Sequence, residues 1–288
     1  MNADIADLAH VRGALVGYVH PFDEDPQPLA QPPQPLSNEL PVDVALGKVD
    51  YMEILGFSDH RSTAGVWYRL LNLGFRIPAA AGTDAMANYA SLHGPVGLNR
   101  VYARVSAAAV DHREWLDAVK KGRTFATNGP LLGFTLGGAQ IGDDLKFNAA
   151  NEDVEFSARL RSIVPVDHLD LVCNGEILRS FVRGKPISEG DFRGRIAVKT
   201  SGWCLLRASS DGSRYPILDN YAYATTSPVY VSVGGKPAAS RADAKYFSAW
   251  VDRVIETTAR YPDWNSDAEK RHVMQRLTEA KAVFTALE

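Results

Sequence analysis

The chain has 288 residues, 45% hydrophobic and 23% charged, with a formal net charge of −3. That length holds one large core or two moderate ones, and the composition is that of a soluble globular protein. The charge gives no electrostatic case for nucleic acid or an anionic membrane, and no apolar run approaches the roughly 20 residues that span a bilayer.

The opening "MNADIADLAH" is acidic and lacks the apolar stretch of a signal peptide. It implies the cytoplasm if Met1 is the true start, and leaves a periplasmic location open if a leader is missing. "ALVGYV" reads as a strand that stops at His20, pinned by Pro21. "DEDPQPLAQPPQPL" (23–36) carries five prolines and must be a loop. "VDYMEIL" (49–55) is a second strand, and "TAGVWYRLLNLG" (63–74) a helix closed by Gly74, entered through Asp59 and His60 with Asp59 or Ser62 capping. "FRIPAAAGTD" (75–84) and "NRVYARV" (99–105) return as strands, and "DHREWLDAVKKG" (111–122) is a helix between an Asp111 cap and a Gly122 stop. Strands spaced by helices predict parallel β/α units.

From residue 130 the pattern changes. "VEFSARL" puts Val154, Phe156, Ala158 and Leu160 on one face; "LDLVC", "IAVK", "CLLRA" and "VYVSV" follow, separated by turns such as "CNGE" and "SDGS". Short strands without helices predict an antiparallel sandwich. Cys173 and Cys204 could form one bridge, but two separate buried thiols are the expected arrangement. Beyond residue 240 a helical stripe runs through Phe247, Trp250, Val251, Val254 and Ile255, and Ser266 with Glu269 forms a capping box opening a second helix. The expected division is 1–129, 130–236 and 237–288.

In a parallel β/α sheet, ligands gather beyond the carboxyl ends of the strands. Three such ends deliver His20, Glu53 and Asp84, residue types that bind catalytic zinc or manganese. Each also has an ordinary reading. A histidine before proline commonly just ends a strand, Asp84 can cap a helix through "AMANYA", and Glu53 is expected to pair with an arginine. His93 is read as a solvated loop residue within reach of substrate. His10, His112, His168 and His272 are placed on helices or turns.

"GYVHPF", "VDYMEI", "AGTDAMANYA" and "GRTFATNGPL" together resemble the carbaryl-hydrolase-like (CehA/McbA) branch of the PHP (polymerase and histidinol phosphatase) metallohydrolases. The likeness extends through "SGWCLLRAS" and "YATTSPVYV" into the helical tail. It implies a partial PHP-type distorted β/α barrel (α/β), then an all-β antiparallel sandwich-like domain and a C-terminal helix pair. By resemblance His20 and Asp84 are metal ligands at barrel strand ends. The family's histidine two residues after that aspartate is Met86 here, a poor ligand for zinc or manganese, which points to a mono- or binuclear centre. The family's opening HxH motif is absent, so the sequence reads as the C-terminal part of a longer protein, its open sheet edge covered by oligomerisation or by that missing part.

The activity so implied is hydrolysis of a small carbamate, ester, amide or phosphoester by metal-activated water, with an acidic group shuttling the proton. Glu53, Thr83, Asn88, Arg100 and Asn128 are candidates to support the ligands or touch substrate. With the HxH ligands missing, metal affinity is expected to be weak or lost in this chain. The competing reading is a non-catalytic module that binds carbohydrate or protein through Trp203, Tyr221, Tyr223 and Tyr230 beside a degenerate metal site. Aromatics at strand spacing are, however, more commonly core.

Overall fold

The computed structural model describes residues 1–86, 88, 94–106, 111–150, 152–217 and 220–288. Among them are six α-helices and fifteen strands. The chain opens with α1 (Asn2–Val11), β1 (Gly17–Tyr18), α2 (Leu40–Ala45), β2 (Tyr51–Leu55), α3 (His60–Asn72) and β3 (Ala79–Ala81). The three strands form one parallel sheet in the order β1-β2-β3. From Met52 to Leu55 every residue of β2 is buried, as a central parallel strand covered on both faces requires. Asp59 caps α3 by accepting the Ser62 N–H at 2.7 Å, and Gly74 (φ 85°) follows its last turn, as the sequence predicts.

The second part comprises β4 (Arg100–Ala103), α4 (His112–Lys120), β5 (Thr124–Thr127), β6 (Leu131–Leu136), β7 (Ala139–Gln140), β8 (Asp144–Phe147), β9 (Glu152–Val166), β10 (His168–Cys173), β11 (Glu176–Ser180), β12 (Ile187–Val198), β13 (Gly202–Ser213), β14 (Tyr221–Thr226) and β15 (Val229–Val233). One eight-stranded sheet runs β11-β10-β13-β14-β5-β4, with β15 pairing both β13 and β8; a four-stranded sheet runs β12-β9-β6-β7. Val154, Phe156, Ala158 and Leu160 of β9 share a core with Leu171, Leu206 and Ala224 of the larger sheet, so the two sheets are stacked as in a sandwich. The "CNGE" turn is present, with Asn174 (φ 51°) and Gly175 (φ 86°) both left-handed as a tight hairpin requires. "SDGS" is not a turn: it lies within β13, where the register with β14 shifts between Ser209 and Ser213.

Two further expectations are corrected. The strand predicted at 99–105 does not extend the parallel sheet; β4 pairs antiparallel with β5, which pairs antiparallel with β14. The edge of β3 is already occupied. Ala79 donates its N–H to Ser227 Oγ at 2.9 Å, Thr124 Oγ1 donates to Ala79 O at 2.9 Å, and the two hydroxyls lie 2.8 Å apart. Side chains of the antiparallel sheet thus satisfy backbone groups that a fourth parallel strand would use, and no closed barrel forms among the described residues. The second correction concerns the cysteines. Cys173 and Cys204 sit directly opposite each other on β10 and β13, Cα atoms 4.1 Å apart, and are joined in a buried disulfide rather than kept as separate thiols.

Helices α5 (Arg241–Ala259) and α6 (Asp267–Ala286) pack on the parallel sheet's core. Phe247 stacks on Phe284 with ring centroids 5.3 Å apart, and both are fully buried. Ser266 accepts the Glu269 N–H, but the reciprocal Glu269 bond goes to the Asn265 N–H, one residue earlier than a capping box places it. Trp203 and Tyr223 of the larger sheet belong to this same core, so α/β part, helix pair and sandwich are welded rather than strung together. His168 begins β10 rather than lying on a helix or turn.

Asp43 of α2 is 3% exposed; its Oδ2 takes the Asn2 amide at 3.3 Å, and its Oδ1 has no partner among the described residues. Burial, reinforced by the charge of Glu39, pushes its carboxyl up from 3.8 to about 7. Between those values the unfolded chain is ionised here while the folded chain holds its proton, so rising pH destabilises the fold through this residue; above about 7 the cost is constant. Asp43→Asn is therefore expected to gain on the wild type by roughly 2–4 kcal/mol from pH 4 to pH 7.5. Urea titrations at both pH values check this, and parallel stability curves would contradict it.

Candidate metal centre at the strand ends

Two of the three expected strand-end residues, His20 and Asp84, lie just past β1 and β3, whereas Glu53 is the central residue of β2 rather than its end. Beyond β1 the chain passes through Val19 to His20, and Pro21 restricts the backbone before it. His20 takes φ 31°, and Asp84, three residues past β3, takes φ 53°; apart from glycines, only Asn174 shares this left-handed conformation among the described residues. Both outliers lie at one place, and each costs backbone energy that surrounding contacts must offset. They leave His20 Nε2 and Asp84 Oδ2 3.8 Å apart, with the two side chains 52% and 34% exposed.

The neighbouring segments are fixed from several directions. Phe22 is buried against Trp250 and its carbonyl accepts the Asp59 N–H at 2.9 Å, which ties the chain after His20 to the start of α3. Before Asp84, Thr83 Oγ1 donates to Asn99 O at 3.0 Å and accepts the Asn99 N–H at 2.9 Å. Asn99 Nδ2 in turn donates to Gly82 O at 3.2 Å and to Gly56 O at 3.4 Å, clasping the segments after β2 and β3 together.

Glu53, on the central strand β2, is 4% exposed. The arginine partner expected for it is not what the fold supplies: Glu53 Oε2 accepts the His20 backbone N–H at 2.6 Å. Burial pushes its carboxyl up to about 7, with the His20 N–H opposing the rise and the Asp84 charge adding to it. His60, first residue of α3, is 1% exposed, packs 5.4 Å from the Tyr221 ring, and is driven by burial down to about 4. It is a neutral core histidine, in keeping with its reading as a helix-entry residue.

A divalent ion with donors at about 2.0–2.2 Å can accept two of them no more than about 4.4 Å apart, and a tetrahedral pair is about 3.3–3.6 Å apart. The 3.8 Å between His20 Nε2 and Asp84 Oδ2 falls within that limit, so one imidazole and one carboxylate fit a shared ion after a small closing movement. Among the described residues no group of three or more His, Cys, Asp or Glu side chains is placed to hold an ion. The donor set is thus a pair, open to solvent.

The remaining candidates divide. Thr83 supports the segment that carries Asp84. Asn128 is buried and knits β5 to β14 through Tyr221 O (2.8 Å) and the Tyr223 N–H (2.8 Å). Arg100 donates to Gly97 O at 2.9 Å and to Tyr102 Oη at 3.1 Å, shaping its own turn. Asn88 and Met86 are exposed. His93 and half of the "AMANYA" segment expected as a helix lie outside the described residues. Of the four aromatics offered for carbohydrate binding, Trp203 and Tyr223 are 1% exposed, and Tyr221 and Tyr230 pack against the same core. Asn99 was not foreseen; its clasp joins residues far apart in sequence, and only the neighbouring glycines signalled a close approach. No protein-family model matches this chain, and no curated protein or solved structure was found to resemble it.

Proposed function

We propose that this chain carries part of a metal-dependent hydrolase centre that cleaves a small carbamate, ester or amide, and that β1 to β3 are consecutive strands of a PHP-type β/α barrel. The observation that carries the reading is that His20 and Asp84, just past the carboxyl ends of the parallel strands β1 and β3, bring Nε2 and Oδ2 to 3.8 Å, with Glu53 of β2 bonded to the His20 main chain. His20 Nε2 and Asp84 Oδ2 would hold the ion, and Thr83 and Asn99 would keep the Asp84 segment in place. A divalent ion at such a site supplies Lewis acidity and a nucleophile at neutral pH. Two protein donors leave several coordination positions free, which suits substrate access and also makes affinity weak.

The test is turnover of an aryl N-methylcarbamate and an aryl acetate by the purified chain with added Zn²⁺ or Mn²⁺. Hydrolysis that is abolished by a chelator, restored by the metal and at least 100-fold lower in Asp84→Ala is expected. Hydrolysis indifferent to chelator and to Asp84→Ala would overturn the assignment.

A further inference from the structure

We propose that Glu53 is the positioning residue of this centre, its carboxylate holding the His20 backbone in the left-handed turn that aims the imidazole at Asp84. The inference rests on the metal-binding reading above and adds a role for a residue that this reading does not need as a ligand.

Three independent features converge on one carboxylate. The first is the bond itself: Glu53 Oε2 accepts the His20 N–H at 2.6 Å, and the accepting side chain is 4% exposed. The second is the conformation it holds. His20 has φ 31° and precedes a proline, a backbone state that persists only when its surroundings enforce it. The third is the room made for it. Gly56 and Gly82 do not adopt left-handed φ, so the backbone does not call for glycine at either position. Space does: a Cβ on Gly56 would fall on Glu53 Oε2, and one on Gly82 would fall on Glu53 Oε1. The segments following β2 and β3 therefore lack side chains where this carboxylate lies.

The alternative, that Glu53 is itself a ligand, is not the arrangement seen, since no three acidic or imidazole groups are placed around one point among the described residues. Its interaction runs through the His20 main chain instead, which leaves the Nε2 and Oδ2 donors free.

The test compares Glu53→Gln, Glu53→Ala and Gly82→Ala in the full chain with two readouts. One is the amide proton shift of His20 in the metal-free protein, which a short bond to a carboxyl or carboxamide oxygen moves downfield. The other is Zn²⁺ affinity by calorimetry. Glu53→Gln retains an acceptor oxygen and is expected to keep a downfield His20 amide and Zn²⁺ affinity within about threefold of wild type. Glu53→Ala and Gly82→Ala are expected to lose the downfield amide and to weaken Zn²⁺ at least tenfold. An unchanged His20 amide in Glu53→Ala overturns the proposal. So does a Glu53→Gln variant that keeps the amide shift yet binds Zn²⁺ as poorly as Glu53→Ala, because Glu53 would then be a direct ligand. If the wild type binds no Zn²⁺, the metal-binding reading fails, and the amide shifts still decide whether Glu53 holds His20.

Discussion

Replacing both Cys173 and Cys204 by alanine is expected to lower the stability of the chain by about 3–4 kcal/mol. The bridge closes a loop with a sequence separation of 31, and in the chain-entropy description that closure removes this much conformational freedom from the unfolded state. At a chain length of 288 residues the loss corresponds to a fall in Tm of roughly 5–7 °C. The cysteines face each other across β10 and β13, next to Trp203, which reaches into the core shared with α3 and donates its indole N–H to Asn72 Oδ1 at 2.8 Å. The double variant should therefore still fold, because the strand pairing that aligns the two residues does not depend on the bond. Denaturant titration of variant and wild type, without reductant, gives the number, and a non-reducing mass measurement confirms the bond in the wild type. Equal stability, or two free thiols in the wild type, would contradict the expectation.

Much of the first part was legible because local signals there agree with the fold. The run from Val16 to Tyr18 stops where Pro21 forbids regular continuation, Asp59 caps the helix that follows it, and beyond the first part the expected caps Asp111 and Ser266 do the same. The alternation of Val154, Phe156, Ala158 and Leu160 survives intact as the buried face of β9. The approach of His20 and Asp84 was readable because parallel strands deliver their carboxyl ends to one side.

What sequence could not supply was partner choice. Glu53 on a buried strand needs a donor, and an arginine is the commoner solution; that a backbone N–H from another strand end serves instead is decided by tertiary packing. The strand from Arg100 to Ala103 carries a pattern equally suited to parallel or antiparallel pairing, and the hydroxyls of Thr124 and Ser227 at the edge of β3 settle the matter from far along the chain. The same holds for the disulfide, whose two residues become neighbours only through the β10–β13 register. "SDGS" has turn composition, yet continues β13 through an irregular register because β14 and Asp167, which accepts the Asp211 N–H at 2.9 Å, supply partners for it.

The proposed centre rests on His20 and Asp84, whose left-handed backbones leave Nε2 and Oδ2 3.8 Å apart. Both side chains are substantially exposed, so removing them costs little packing, and their removal should be read almost purely in metal affinity. Losing an imidazole and a carboxylate takes away the whole described donor pair, for which a loss of at least 100-fold is expected, equivalent to about 2.7 kcal/mol or more of binding free energy. The most direct measurement is a Zn²⁺ and Mn²⁺ titration of the purified chain beside the His20→Ala/Asp84→Ala double variant, followed by elemental analysis of both after desalting. Saturable binding of about one ion per chain is expected in the wild type, with none in a double variant of unchanged thermal stability. Binding of equal strength in both proteins, or none in either, would contradict that expectation.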